Sequence, residues 1–335
     1  MDIFLNILFL VLGMILLIKG ADFFVSGASS VAKKMKVPSL FIGLTIVALG
    51  TSLPELSVSV TSAFSNNIDL SVGNIIGSNL LNMLFILGLV AIFSPVPMSK
   101  LTKKIDLPFL IAVTGILMLF GFDSLLNGEK TNILSRTESI IFLIILILYL
   151  YVLISNANRR RKRILKQEKF LNISNSEQTD EKPLKVWQIL LCLIFGLAAV
   201  VFGGECVSTT AQFLAIKMGM SEALVGLTIV AFGTSLPELV TSVIAAKKGE
   251  NDLALGNVIG SNIMNISLIL GSVGLIAQAP ISMTIVVDSI ILFVATMIFA
   301  VACFRKENIS KREGIVFILL YLSYLAFAIV RNYCF

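Results

Sequence analysis

The stretch Gly43-Leu-Thr-Ile-Val-Ala-Leu-Gly-Thr-Ser-Leu-Pro-Glu-Leu56 returns 183 residues later as Gly226-Leu-Thr-Ile-Val-Ala-Phe-Gly-Thr-Ser-Leu-Pro-Glu-Leu239, differing only at Leu49/Phe232. At the same offset Gly73-Asn-Ile-Ile-Gly-Ser-Asn-Leu-Leu-Asn82 returns as Gly256-Asn-Val-Ile-Gly-Ser-Asn-Ile-Met-Asn265. Chance does not keep two motifs in register over such a distance. The chain is an internal duplication, with one motif pair at 43–82 and the other at 226–265.

Both copies lie in apolar sequence. The 335 residues are 57% hydrophobic and 14% charged, against about 45–50% and 25% in soluble domains, which excludes an ordinary water-soluble globule. Apolar runs at 3–18, 107–120, 139–154, 285–303 and 315–330 approach the roughly 20 residues that cross a bilayer as a helix. The expected fold is all-α and integral to the membrane, with ten transmembrane helices at 3–31, 39–64, 70–94, 105–122, 137–155, 185–215, 222–246, 252–277, 284–304 and 313–332. The first span has no basic leader and no small-residue cleavage site before Lys19, so it is expected to remain uncleaved.

Charge orients these spans. Lys33, Lys34 and Lys36 follow the first, Lys100, Lys103 and Lys104 the third, and Arg159-Arg160-Arg161-Lys162-Arg163 the fifth. Lys247 and Lys248 follow the seventh, and Arg305, Lys306, Lys311 and Arg312 the ninth, whereas the opposite loops and tail hold only Lys130, Arg136, Lys217 and Arg331. Basic loops remain cytoplasmic, which places both termini outside. Residues 156–184 are polar, with too little apolar surface to fold alone, and read as a cytoplasmic linker between repeats at 1–155 and 185–335. They lack the D-x-[DN]-x-[DN]-G pattern of a regulatory calcium loop. Five spans separate the motif copies, an odd number, so the second copy enters the membrane from the opposite side. Inverted repeats of this kind place interrupted helices face to face near the bilayer midplane, where secondary transporters bind substrate and coupling ions.

Glu55 and Glu238 fall inside these spans, where an ionised carboxylate costs at least ~2.5 kcal/mol and demands a cation, a partner or a proton. Neither motif contains Lys or Arg, leaving a bound cation as the natural counter-charge. Pro54 and Pro237 lack an N–H and crowd the carbonyls of Gly50 and Gly233, so both helices should kink there and free carbonyl oxygens. Thr51 and Ser52, like Thr234 and Ser235, lie four and three residues before their glutamate, so hydroxyls and carboxylate share a face. The bland alternative, a Pro kink satisfied by Thr and Ser hydroxyls, leaves the glutamates unexplained. Asn82 and Asn265, with Ser78 and Ser261 one turn earlier, add neutral oxygens if the third and eighth spans pack beside the second and seventh. Gly73, Gly77, Gly256 and Gly260 read as close-packing surfaces.

An all-oxygen ligand set selects hard ions, and the ~6–8 flexible oxygens that Ca²⁺ takes suit it better than the rigid octahedron of Mg²⁺. Two carboxylates neutralise one Ca²⁺ or two Na⁺, with oxygens left for a third, so the ions compete for one charge pair. Histidine is absent, and Cys192, Cys206, Cys303 and Cys334 stand singly, which argues against zinc, haem and redox chemistry; no cofactor is expected. The net charge of +6 follows the membrane topology rather than a nucleic-acid partner. Asp22 and Glu205 match across the repeat and read as structural or vestibule residues, Asp22 with Lys19 in reach as a local partner. Asp106, Glu138 and Asp288 sit at helix starts, where acids favour the dipole.

The doubled G-T-S-x-P-E and G-N-x-x-G-S-N-x-x-N motifs closely resemble the two alpha repeats of the calcium/cation antiporter superfamily, especially its compact prokaryotic sodium/calcium exchangers. The resemblance covers nearly all of the chain except the linker. It implies that Glu55 and Glu238 form the core of the site, aided by Thr51, Ser52, Thr234 and Ser235. It further implies ligands at Ser78, Ser261, Asn82 and Asn265 and main-chain carbonyls at Ala48 and Ala231, with the first and sixth helices sliding past the rest to switch access. Many sodium/calcium and potassium-dependent members carry an acid where this chain has Asn265, so the site here is more symmetric and less negative. The proton-coupled branch usually has an acid in the G-S-N-x-x-N ending, so Asn82 and Asn265 argue for sodium. The expected activity is Na⁺-driven Ca²⁺ extrusion by a monomer in the cell membrane, with proton/calcium exchange the alternative. A calcium channel fits two inverted motifs poorly, and an enzyme would need a nucleophile–base pair that the motifs lack.

Overall fold

The computed structural model describes residues 3–65, 67–121, 132–170, 184–219, 231–278 and 280–334, without the side chains of 168–170, 231 and 332–334. In chain order the helices are α1 (Ile3–Met35), α2 (Ser39–Thr51), α3 (Leu53–Phe64), α4 (Ile68–Phe93), α5 (Leu107–Phe120), α6 (Arg136–Phe170), α7 (Val186–Lys217), α8 (Ala231–Thr234), α9 (Leu236–Lys247), α10 (Asn251–Ile276), α11 (Met283–Arg305) and α12 (Lys311–Cys334). Four two-residue strands pair antiparallel: β1 (Val96–Pro97) with β4 (Asn308–Ile309), and β2 (Asn132–Ile133) with β3 (Pro280–Ile281).

Among the described residues seven helices are long and apolar enough to cross a membrane, or eight if the bent pair α2–α3 counts as one span. Two of the ten expected spans stay outside that count. α5 has 14 residues, with a π-turn at Thr102–Asp106 before it, and the first part of the seventh span, 220–230, lies outside the described residues. The expected linker at 156–184 needs correction at its start, because α6 continues to Phe170. Its run of Arg, Lys, Leu and Gln consists of good helix formers, and the basic residues sit favourably at a helix C-terminus.

α4 and α10 form the centre, with 78% of their apolar windows buried against 22% for α1 and α7. α2 crosses α10 at backbone distance: a methyl on Gly43 would lie 2.5 Å from the Leu253 carbonyl oxygen, and one on Gly256 would lie 2.6 Å from that of Leu40. Only glycine fits there, which bears out the packing role read for Gly256, and Gly260 lies similarly close to the Leu44 backbone; the same role is corrected for Gly77, where an added methyl would meet nothing within 4 Å.

α1 and α7 form an antiparallel pair at the periphery. Gly20 faces Ala199 and Val200, Gly27 faces Cys192 and Leu193, and Gly13 faces Cys206 and Val207. The seven-residue spacing of these glycines holds one seam of α1 against its partner over four turns, because side-chain-free surfaces let two backbones approach closely.

The acids off the central site find specific partners. Asp22 pairs with Lys248, at 2.8 Å, rather than with Lys19, because α1 leans on the α9–α10 turn; Ser29 bonds Glu250 in the same turn. Asp288 forms a two-pronged pair with Arg331 at 2.8 and 2.9 Å, joining α11 to α12. Tyr149 donates to Asp106 at 3.2 Å, and Glu138 accepts the Ser135 N–H at 2.8 Å, as an N-terminal helix cap does. Glu205 accepts only a long bond from Thr209, 3.4 Å, among its described contacts.

Candidate ion-binding site

Each repeat breaks its helix at the same serine. α2 ends at Thr51 and α3 starts at Leu53, bent by 47°; Ser52 at the break has φ −82°, ψ 8° and its counterpart Ser235 has φ −92°, ψ 8°. Both fall in the sparsely used bridge region between helix and strand. Pro54 and Pro237 occupy the first turn of the helix after the break, where a missing N–H costs nothing. The kinks at Gly50–Pro54 and Gly233–Pro237 thus resolve into breaks that turn each glutamate's first helical turn toward the centre. The expectation of a freed carbonyl at Gly50 is corrected: that oxygen accepts a main-chain N–H at the break, and the Ala48 oxygen accepts from Ser52 at 3.1 Å. Each carbonyl keeps a second lone pair.

The repeats exchange partners across the centre. Ser235 Oγ of the second repeat donates to Glu55 Oε1 of the first at 2.9 Å, and Ser52 Oγ of the first donates to Glu238 Oε1 of the second at 3.1 Å. Ser78 donates to Glu55 at 2.8 Å and lies 2.6 Å from Ser235. Both glutamates are fully buried, at 0% exposure, and neither joins any of the ion pairs found among the described residues.

Thr51 Oγ1 is within bonding distance of Val47 O (3.1 Å) and of Asn257 Oδ1 (3.0 Å). Asn265 donates its amide to Asn79 Oδ1 at 3.1 Å. Six oxygens of the expected set are buried without a protein hydrogen-bond partner: Glu55 Oε2, Glu238 Oε2, Thr234 Oγ1, Ser261 Oγ, Asn82 Oδ1 and Asn265 Oδ1. A buried polar atom left unpaired costs about 1–3 kcal/mol, so six such oxygens among the described residues leave capacity for a ligand that the protein does not itself supply. Ala231 starts α8, but its side chain and the preceding residues of the second motif, Gly226 to Val230, lie outside the described residues.

Several polar residues at the site escaped the sequence reading. Asn257 donates to Ser242 Oγ at 2.9 Å, Asn74 to Ser59 Oγ at 3.2 Å, and Asn79 to the Asn262 carbonyl at 3.2 Å. The signal was present: Asn74 and Asn257 follow the first glycine of their motifs, and Ser59 and Ser242 stand one turn after the glutamates at the repeat offset. π-turns at Leu81–Ile86 and Asn265–Leu270 also interrupt α4 and α10 at matching places. Such insertions re-aim side chains at functional sites; here they carry Asn82 and Asn265.

The two sides of the centre are not equally packed. Phe24 and Leu197 close over Gly50, where a methyl would meet Leu197 at 3.0 Å. Gly233, at the equivalent place in the second repeat, is itself covered by Ser208, which leaves no room for a methyl; beside that contact lies a cavity of about 350 Å³, lined by Val207, Ser208, Phe232, Leu236, Tyr321 and Leu325.

The model of the family described as sodium/calcium exchanger protein matches residues 5–155 and 188–330, one stretch on each side of the linker. The sodium/calcium exchanger MaX1 of Methanosarcina acetivorans is 32% identical over 340 residues, covering 96% of this chain and 97% of that protein. The inner membrane protein YrbG of Escherichia coli is 33% identical, covering 89% and 88%. Among solved structures, the sodium-calcium exchanger NCX_Mj soaked with Na⁺ and Sr²⁺ superposes with a TM-score of 0.81 at 31% identity, covering 97% of this chain and 99% of that one.

Proposed function

Since the chain belongs to the sodium/calcium exchanger protein family, we propose that it is a Na⁺/Ca²⁺ antiporter in which the two ions compete for one site between the repeats. The observation that carries this reading is the fully buried pair Glu55 and Glu238, cross-bonded by Ser235 and Ser52, each with a carboxylate oxygen left without a partner among the described residues. Ca²⁺ neutralises both carboxylates at once, and two Na⁺ do the same. Thr51, Ser52, Thr234, Ser235, Ser78, Ser261, Asn82 and Asn265, with the carbonyls of Ala48 and Ala231, complete the coordination. An empty pair of buried charges resists rearrangement across the bilayer, which makes exchange obligatory.

The proposed topology is ten spans in two inverted five-helix repeats, both termini outside, in the cell membrane. The strand pairs support it. β1 and β4 come from loops that the charge pattern puts inside, and β2 and β3 come from loops that it puts outside. In that topology the cavity bordering Phe232 and Leu236 lies on the outer side of the site, and Phe24 and Leu197 against Gly50 lie on the cytoplasmic side, which we read as an outward-facing arrangement. One chain supplies both halves of the site, as a functional monomer requires. The basic linker stays cytoplasmic.

The test is ⁴⁵Ca²⁺ uptake into Na⁺-loaded proteoliposomes diluted into Na⁺-free or Na⁺-containing buffer. Uptake is expected only with an outward Na⁺ gradient, and Glu55→Gln or Glu238→Gln should abolish it. Uptake that ignores Na⁺ but follows a pH gradient would make the protein a proton/calcium exchanger instead.

A further inference from the structure

The inverted repeats place the same amide at the same point of each half, but the bonds those amides make differ. Asn257, 1% exposed on α10, bonds Ser242 Oγ at 2.9 Å and lies 3.5 Å from the Glu238 carbonyl, which anchors it to the helix carrying the second glutamate. Its Oδ1 reaches across to Thr51 Oγ1 of the first repeat at 3.0 Å. The hydroxyl of Thr51 is thereby divided between its own helix, through Val47 O, and the opposite repeat. Asn74, the counterpart on α4, makes the matching inner bond, to Ser59 Oγ at 3.2 Å, from a half-buried position. The matching outer bond is missing: Thr234 Oγ1 is buried with no hydrogen-bond partner among the described residues.

This difference follows the packing of the two sides. On the Thr51 side Phe24 and Leu197 lie against Gly50; on the Thr234 side Ser208 lies against Gly233, and a cavity borders Phe232 and Leu236. One inverted repeat therefore holds an amide–threonine bond that the other lacks. Reversal of access in a pseudo-symmetric protein requires the two repeats to trade these arrangements.

We infer that Asn257 and Asn74 are positioning residues, each able to hold the ligand threonine of the opposite repeat, and that the Asn257–Thr51 bond exchanges for an Asn74–Thr234 bond when access changes sides. The inference rests on the antiport reading of the site and assigns the state-dependent contacts within it. Neither asparagine is placed among the ligands. Each acts through a threonine and biases one of the two states, because a bond present in only one state shifts the equilibrium by the whole of its free energy.

The experiment measures KM for Ca²⁺ from each face of the membrane, in right-side-out and everted vesicles, for the wild type, Asn257→Ala, Asn74→Ala and the double variant. A net hydrogen bond shifts an equilibrium by about two- to tenfold. Asn257→Ala should raise the outer-to-inner KM ratio by about that factor, because it weakens the outward-facing state. Asn74→Ala should lower the ratio to a similar extent, and the double variant should return it close to wild type. Asn257→Ser, which also loses the reach to Thr51 but leaves a smaller void, stands in if Asn257→Ala fails to reach the membrane. If both single variants move the ratio in the same direction, or lower kcat with the ratio unchanged, the residues are structural and the inference is overturned. The ratio is read from Ca²⁺ flux whichever ion drives it, so a wild type coupled to protons would overturn the Na⁺ reading and leave this inference standing or falling on its own.

Discussion

Gly203 and Gly204 are neighbours in the sequence with opposite expected responses to one added methyl. A Cβ on Gly203 would lie 2.6 Å from the Leu17 nitrogen, 2.9 Å from the Gly13 oxygen and 3.0 Å from the Leu17 Cα. All three are backbone atoms of α1, so relief requires the two helices to separate by roughly 1 Å, an overpacking that costs about 3 kcal/mol. A Cβ on Gly204 would lie 3.3 Å from the ring of Pro237, and its next neighbour, Leu17 Cδ1, is at 3.9 Å. A shift of a few tenths of an ångström relieves that contact. Alanine in a helix gains about 1 kcal/mol over glycine at either place. The net expectation is a loss of about 2 kcal/mol for Gly203→Ala and a change between about 0 and 1 kcal/mol, in the stabilising direction, for Gly204→Ala. At roughly 2 °C per kcal/mol for a large chain, Gly203→Ala should lower the apparent Tm by about 4 °C and Gly204→Ala should leave it within about 2 °C of the wild type. Thermal unfolding in detergent, followed by loss of the monodisperse peak on size exclusion, reads the difference. Equal shifts for the two variants would refute the close α1–α7 seam.

Chelation of Ca²⁺ from the wild type should lower its Tm, since a ligand at about 100 times its Kd stabilises by roughly 2.7 kcal/mol; the same titration should leave Glu55→Gln unmoved, and a Ca²⁺-dependent Tm in that variant would displace the site from the glutamates. Arg331→Gln leaves Asp288, whose side chain is 10% exposed, without its two-pronged partner, at an expected cost of about 3 kcal/mol. The paired variant Asp288→Asn/Arg331→Gln should recover most of that loss, which a double-mutant cycle of Tm values measures. A purely additive cycle would show that the ion pair contributes little.

The residues that announced themselves in the sequence did so through local chemistry. Glu55 and Glu238 stand in apolar spans where a charge is too costly to be idle, and a proline one residue before each glutamate implied an interruption beside the charge. The duplicated motifs could be read without any knowledge of contacts, and so could the hydroxyls one turn upstream of each glutamate, because spacing of three and four residues specifies a shared helical face. Basic runs such as 159–163 suggested an orientation for a similar reason: the positive-inside rule is read from composition alone.

What the tertiary structure decided lies across helices. Spacing along one chain could not tell that Ser235 serves Glu55 and Ser52 serves Glu238, or that Asn257 reaches Thr51. It suggested Lys19 for Asp22, whereas the partner is Lys248, 226 residues away in the chain. It also could not separate Gly203, pressed against a backbone, from Gly204 beside it. The physical reason is common to all of these. A helix sequence determines which side chains share a face, but the register in which two faces meet is the sum of every contact along both, and only the packed protein evaluates that sum.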